Sequence, residues 1–210
     1  MLTGIGTIGG AIAVGLTLWV GRNALTKYRE QKKADKQIDV AVSIVATAHQ
    51  LRSALSHIRN TFSKGGYDQY EAATHLKSVG IDPTADRPLF ERMISTRMIH
   101  LRAAKFAPLF ERAQEVLATA KAYFSETNVP EKFRGLAECY TNILVFADGY
   151  PDCGAREDRI SIATMEFIFA GITSGSPDKF AAELDESMSE IERVLIRVIR
   201  PERKPLWAAR

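Results

Sequence analysis

Cysteine is almost missing from this chain: Cys139 and Cys153 are the only two among 210 residues. Neither sits in a CxxC and no Cys/His cluster exists, so neither a disulfide scaffold nor a structural zinc module is expected. So few thiols suit a reducing compartment. Phosphate and nucleophile signatures are missing as well. The sequence has no P-loop, no GxSxG and no GxGxxG behind a strand. His49, His57, His75 and His100 never fall three or four apart, so no helix offers a ready metal pair. Each histidine is expected at the surface or half-buried, and neither a cofactor nor a metal is expected. Neither cysteine has a histidine near it in sequence, and no catalytic residue is assigned. Period-two alternation is lacking too, so the fold class expected is all-α.

General greasiness is another absence. Mean hydropathy is −0.11, too low for a chain that crosses a membrane many times. Any membrane segment has to be local, and one stands at the start. Leu2 to Val20 contains no charged residue. As a helix it would be roughly 28 Å long, close to the thickness of a bilayer's hydrocarbon core. Trp19 falls where an interfacial aromatic belongs, and Arg22, Lys27, Arg29, Lys32, Lys33 and Lys36 follow. This group forms the expected membrane-surface contact, with lipid as partner. Basic residues on this side alone predict an outside N-terminus and a cytoplasmic C-terminal domain, a single-pass arrangement. A cleaved signal peptide would instead show a basic start and a small-x-small site, whereas Trp19-Val20-Gly21-Arg22 is bulky and basic.

Small residues dominate one face of that segment. Thr3, Gly6, Gly10, Ala13 and Thr17 recur at three and four, and Gly6-x-x-x-Gly10 lies among them. Such a stripe lets two helix backbones approach closely in lipid. The expected partner is another transmembrane helix, from a second copy or from a partner subunit.

The net charge of +3 is unevenly placed. Residues 22–37 hold six basic and two acidic groups, and residues 197–210 hold five and one, while the middle is acidic overall. A nucleic-acid-binding domain is more often basic across its body. Arg87, Arg92, Arg97 and Arg102 recur every five residues, which winds them around a helix and leaves no single basic face. No nucleic-acid partner is expected. The basic tail Arg197–Arg210, with Trp207, is a further place where an anionic surface could be touched.

The remainder reads as a bundle of five or six helices. Residues 22–63 form one helix, with Ile44, Ala48, Leu51, Leu55, Ile58 and Phe62 on one stripe. A short helix covers Tyr67–Val79 and breaks at Gly80-Ile81-Asp82-Pro83. Pro88-Leu89-Phe90-Glu91-Arg92 returns as Pro108-Leu109-Phe110-Glu111-Arg112, and each copy predicts a helix entry. Further helices are expected at Pro130–Phe146, at residues 158–172 and after Ser176-Pro177. The last of these puts Phe180, Leu184, Met188, Ile191, Leu195 and Val198 on one face. Asp148–Asp152 reads as a plain turn rather than a calcium loop. The acids of 183–192, including Glu183, Glu186 and Glu190, read as a solvated outer face. Domain bounds follow: an anchor at 1–21, a basic juxtamembrane helix at 22–37, a helical domain at 38–200 and a basic tail at 201–210. The expected function is that of an accessory or scaffold subunit of a membrane complex. The alternative is a self-assembling pore or conduit.

Overall fold

The computed structural model describes residues 3–60, 66–152, 169 and 178–200, with the side chains of the first helix described from Trp19 onward. Five α-helices and one short 3-10 turn account for nearly all of them, and no strand occurs among the described residues. We number the helices α1 (Thr3–Arg59), α2 (Gly66–Ser78), α3 (Arg87–Phe124), α4 (Val129–Gly149) and α5 (Lys179–Ile199). The 3-10 turn Tyr150–Asp152 follows α4. The chain is all-α, as its periodicity implies. Apart from Phe169, the helix expected at 158–172 lies outside the described residues, as do the expected tail at 201–210 and Phe62.

Contacts divide the chain into two compact units, Met1–Val40 and Ala41–Arg210. In the first, α1 is helical from Thr3, and every side chain from Trp19 to Lys36 is exposed. The side chains of Thr3, Gly6, Gly10, Ala13 and Thr17 lie outside the described set. Among the described residues no helix is long and apolar enough to cross a membrane.

The second unit is a helical bundle. Ile44, Ala48, Leu51, Leu55 and Ile58 of α1 are all buried, as the three-four spacing demands. So are Phe180, Leu184, Met188, Ile191 and Leu195 of α5, with Val198 half-buried at the end of the stripe. Ion pairs fix the pairing of the two helices. Asp178, Asp185 and Glu192, seven apart, meet Arg59, Arg52 and His49 in descending order at 3.0, 2.6 and 2.7 Å. A seven-residue step is two helical turns, so this end of α1 and α5 run antiparallel.

Arg59 is the innermost of these groups, with 2% of its side chain exposed. Its guanidinium donates two hydrogen bonds to the Asp178 carboxylate, at 3.0 and 3.1 Å, and lies 4.1 Å from the Phe180 ring centroid. Asp178 also caps α5 by accepting from Ala181 N–H at 3.1 Å. Asp178 thus serves both the start of α5 and Arg59, one residue beyond the Ser176-Pro177 after which the helix is expected. Burial disfavours its charge, but the bonds from Arg59 and from Ala181 prevail and hold its carboxyl below the usual range.

α3 and α4 form an antiparallel pair. Thr96 donates to Ala147 O at 3.0 Å, and seven residues on Ala103 O accepts from Tyr140, seven residues back on α4. The Tyr140 ring stacks on Phe110 with centroids 3.9 Å apart. α3 itself corrects the sequence reading. Asp86 caps it, accepting from Leu89 N–H at 2.9 Å, and Pro88 occupies its first turn. The second copy of the pentapeptide starts nothing: Pro108 lies inside an unbroken helix. Ile99 and Ala103 before it, and Phe110 and Ala113 after it, are all buried. Packing on both sides holds the helix through a residue that removes one backbone bond.

Candidate docking groove between the second and third helices

α2 is only 13 residues long and gains its stability from one side. Ala72 and Leu76 are buried against Phe90 and Ile94 of α3, with Ile81 and Leu101 packed at the edges. Its end is built by the backbone. Gly80 N–H donates to Lys77 O, and Ile81 N–H donates to Leu76 O, both at 3.1 Å. Gly80 takes φ +86° and Ile81 packs on the cluster that holds Leu76, which together make a Schellman stop. At its other end Asp68 receives Arg102 Nε at 3.0 Å and Lys105 at 3.4 Å. The Arg102 hydrogen bond is the chief reason that the Asp68 carboxyl is held below its ordinary value.

With the 72/76 side committed, the neighbouring face of α2 turns outward. Tyr67, Glu71, Thr74 and Ser78 follow one another at four, three and four, and Tyr70 flanks them. Tyr67 is 74% exposed and Tyr70 71%. Opposite stand Arg97 and Leu101, one turn apart on α3. Together with His75 these residues enclose a groove of about 320 Å³. Ser78 is engaged locally, its hydroxyl donating to His75 O at 2.7 Å.

The five-residue spacing of the α3 arginines sends each in a different direction, as expected. Arg87 binds Glu91 at 3.0 Å, and Arg92 donates to Pro151 O at 3.2 Å. Arg102, with 3% of its side chain exposed, binds Asp68 and Asn60 O. Arg97 faces the groove, and its Nε is sealed from solvent with no hydrogen-bond partner among the described residues. A second, smaller recess of about 230 Å³ lies where α3 turns into α4, edged by Lys121, Glu131 and Arg134.

Other candidate groups are engaged within the bundle. His49 meets Glu192, His100 meets Asp148 at 2.8 Å, and His57 lies edge-on to Phe106. The acids of 183–192 correct the solvated-face reading in part. Glu183 and Glu186 are exposed, but Asp185 binds Arg52, and Glu190 takes Asn128, just before α4, and Lys132 within it. The Asn128 bond, ahead of Lys132, lowers the pKa of Glu190. Asp148 and Gly149, expected to open the turn, instead belong to α4, where Asp148 meets His100, and the turn begins at Tyr150. Burial pushes the Cys139 thiol up to about 11, so it is a poor nucleophile at neutral pH. No group of three or more His, Cys, Asp or Glu among the described residues could hold a metal ion.

No protein-family model, curated protein or solved structure matches the chain.

Of the residues singled out from sequence, Trp19, Arg22, Lys27, Arg29, Lys32, Lys33 and Lys36 are all exposed along α1. The groove was not foreseen. Its signals were two tyrosines three apart in a short helix and one arginine of a regular series, and only the docking of α2 on α3 unites them.

Proposed function

We propose that this chain is a membrane-anchored helical interaction protein, an accessory or scaffold subunit of a membrane complex. The uncharged stretch Leu2–Val20 would be the span, with the bundle as a docking module on the cytoplasmic side. The observation that carries this reading is the exposure of every side chain from Trp19 to Lys36 on a continuous helix. Such a stretch gains no packing energy within the described chain, although most helices in proteins are stabilised that way. Its basic groups suit an anionic lipid surface, at about 1 kcal/mol for each charge close to it. The small-residue stripe Thr3, Gly6, Gly10, Ala13, Thr17 supports a contact with a second membrane helix.

The test is gentle detergent extraction of the full chain from its membranes, followed by the mass and composition of the purified particle. A second membrane protein at fixed stoichiometry is the expected result. Recovery of the chain without detergent, in the soluble fraction, would overturn the anchor. A large particle of this chain alone would favour self-assembly, and vesicle leakage would then separate a pore from a closed oligomer. Gly6→Leu with Gly10→Leu should abolish the association, read in a membrane two-hybrid assay. Undiminished signal would remove the stripe from the reading.

A further inference from the structure

We propose that one face of α1, carrying Arg22, Arg29, Lys32, Lys33 and Lys36, docks an acidic amphipathic helix of a partner protein. This rests on the anchored reading above and names the chemistry of the partner at one site.

A helix turns by about 100° per residue, which gathers these five side chains into an arc of about 100°. Lys27 falls on the opposite side, and Glu30 and Asp35 each lie about 60° outside the arc. One face is therefore of a single sign, although the stretch as a whole is mixed. All five groups are exposed, and none of their side chains has an ion-pair partner among the described residues. In the bundle, by contrast, Arg52, Arg59, Arg102 and Lys132 each meet an acid on another part of the chain. Arg29 with Lys32 and Lys33, and both lysines with Lys36, stand three or four residues apart. Like charges at that spacing repel and weaken a helix. An anionic partner along this face turns the repulsion into attraction.

Lipid reaches only the near end of the face. With the span ending at Val20, Lys32 and Lys36 stand about 18 and 24 Å further along the axis. The headgroup layer takes up about 5–8 Å of that distance. Charge at its surface is screened over about 8 Å at physiological salt. Arg22 thus lies at the lipid, whereas Lys36 is about two screening lengths beyond it.

Leu25 selects among the remaining anions. It lies inside the same arc, three residues from Arg22 and four from Arg29, and is 50% exposed. Tyr28, 61% exposed, flanks it. A row of phosphates offers nothing to a leucine, and the acidic middle of the chain repels a polyphosphate. A helix with acids flanking an apolar row satisfies both features, as charged residues do beside a coiled-coil seam. A second copy presenting this same face brings like charges, so the occupant is a different chain.

The test places the full-length chain in nanodiscs of neutral lipid. The probe is a fluorescent synthetic helix with glutamates flanking a row of leucines, and the control is its glutamine counterpart. Anisotropy should show the glutamate peptide binding about tenfold more tightly, as several exposed ion pairs together allow. Lys33→Glu should weaken it about fivefold and Lys27→Glu less than about twofold, with circular dichroism confirming the helix. Both variants change the net charge equally, so equal losses would reveal general attraction and overturn the proposal. Equal binding of the two peptides, or tighter binding of a DNA duplex, would overturn it as well. Anionic lipid in the nanodisc should leave peptide binding nearly unchanged, and its loss would assign the face to lipid. In the extraction experiment Lys33→Glu should deplete the co-purified protein. A fixed-stoichiometry particle unaffected by that change overturns the docking face and leaves the accessory-subunit reading in place. Recovery of the chain without detergent overturns the anchor, and peptide binding by that soluble chain still decides the face.

Discussion

Trp19–Lys36 and Ala41–Arg59 belong to one helix and share one backbone conformation, yet their surroundings are opposite. In the second stretch apolar residues recur at three and four, and Ile44, Ala48, Leu51, Leu55 and Ile58 vanish into the core. In the first, Ala34 is the only apolar residue between Arg29 and Gln37, so no stripe exists to bury. Trp19 and Leu25 stay 63% and 50% exposed. Helical backbone is thus a poor guide to where a chain stores its stability. The side-chain period decides that, and identical substitutions in the two stretches should have very different consequences.

The largest effect is expected where the buried stretch ends. Asp178→Ala would leave Arg59 charged and sealed while also removing the cap of α5, at a cost of about 3–5 kcal/mol. Lys32→Ala in the exposed stretch should change stability by less than about 0.5 kcal/mol. Urea midpoints of the full chain in mild detergent give both values. Similar midpoints would mean that the Arg59–Asp178 pair contributes little net stability.

Leucine offers a cleaner form of the contrast. Leu55→Ala removes a fully buried side chain and should cost about 2–5 kcal/mol, whereas Leu25→Ala should be nearly silent. A measurable loss from Leu25→Ala would show that the exposed stretch packs on something in solution.

Acid probes the same boundary more gently. Asp68 and Asp178 have carboxyl groups held below the usual value in the folded state. Groups of this sign add stability that is fully present above the unfolded value of about 3.9 and is lost as pH falls through the folded value. The bundle should therefore weaken below about pH 4, and Asp178→Asn, which keeps a capping side chain, should flatten that decline. An unchanged slope would assign acid sensitivity to other groups.

Much of the fold is legible in the sequence alone. The stripes of α1 and α5, the stop at Gly80 and the turn after α4 all follow from local pattern. What was not legible depends on partners far along the chain. Asp178 is 119 residues from the arginine that gives it a second role. Tyr67, Tyr70 and Arg97 become one groove only because the Schellman turn folds α2 back on α3. The acids of 183–192 look like a solvated face until α1 and α4 supply Arg52, His49, Asn128 and Lys132. Periodicity tells which face is buried but does not name what lies across from it.

The smallest effect comes from a comparison that holds sequence constant and varies only place. Pro88 and Pro108 open two copies of one pentapeptide, but Pro88 stands in the first turn of α3 and Pro108 in its interior. At the first turn a proline forfeits no helical bond and brings a suitable φ, so Pro88→Ala should be neutral or slightly destabilising. In the interior it withholds an N–H from the carbonyl of Ala104 and costs about 3 kcal/mol relative to alanine. Part of that is offset because proline also stiffens the unfolded chain by about 1 kcal/mol. Pro108→Ala should therefore stabilise the bundle by about 1–2 kcal/mol, raising the urea midpoint while Pro88→Ala does not. Because packing on both sides already keeps α3 helical through this position, the gain should appear without change in helical content by circular dichroism. A loss of stability instead would mean that the core around Phe110 has adapted to the proline, and that the second copy is specified by its surroundings as firmly as the first is by its cap.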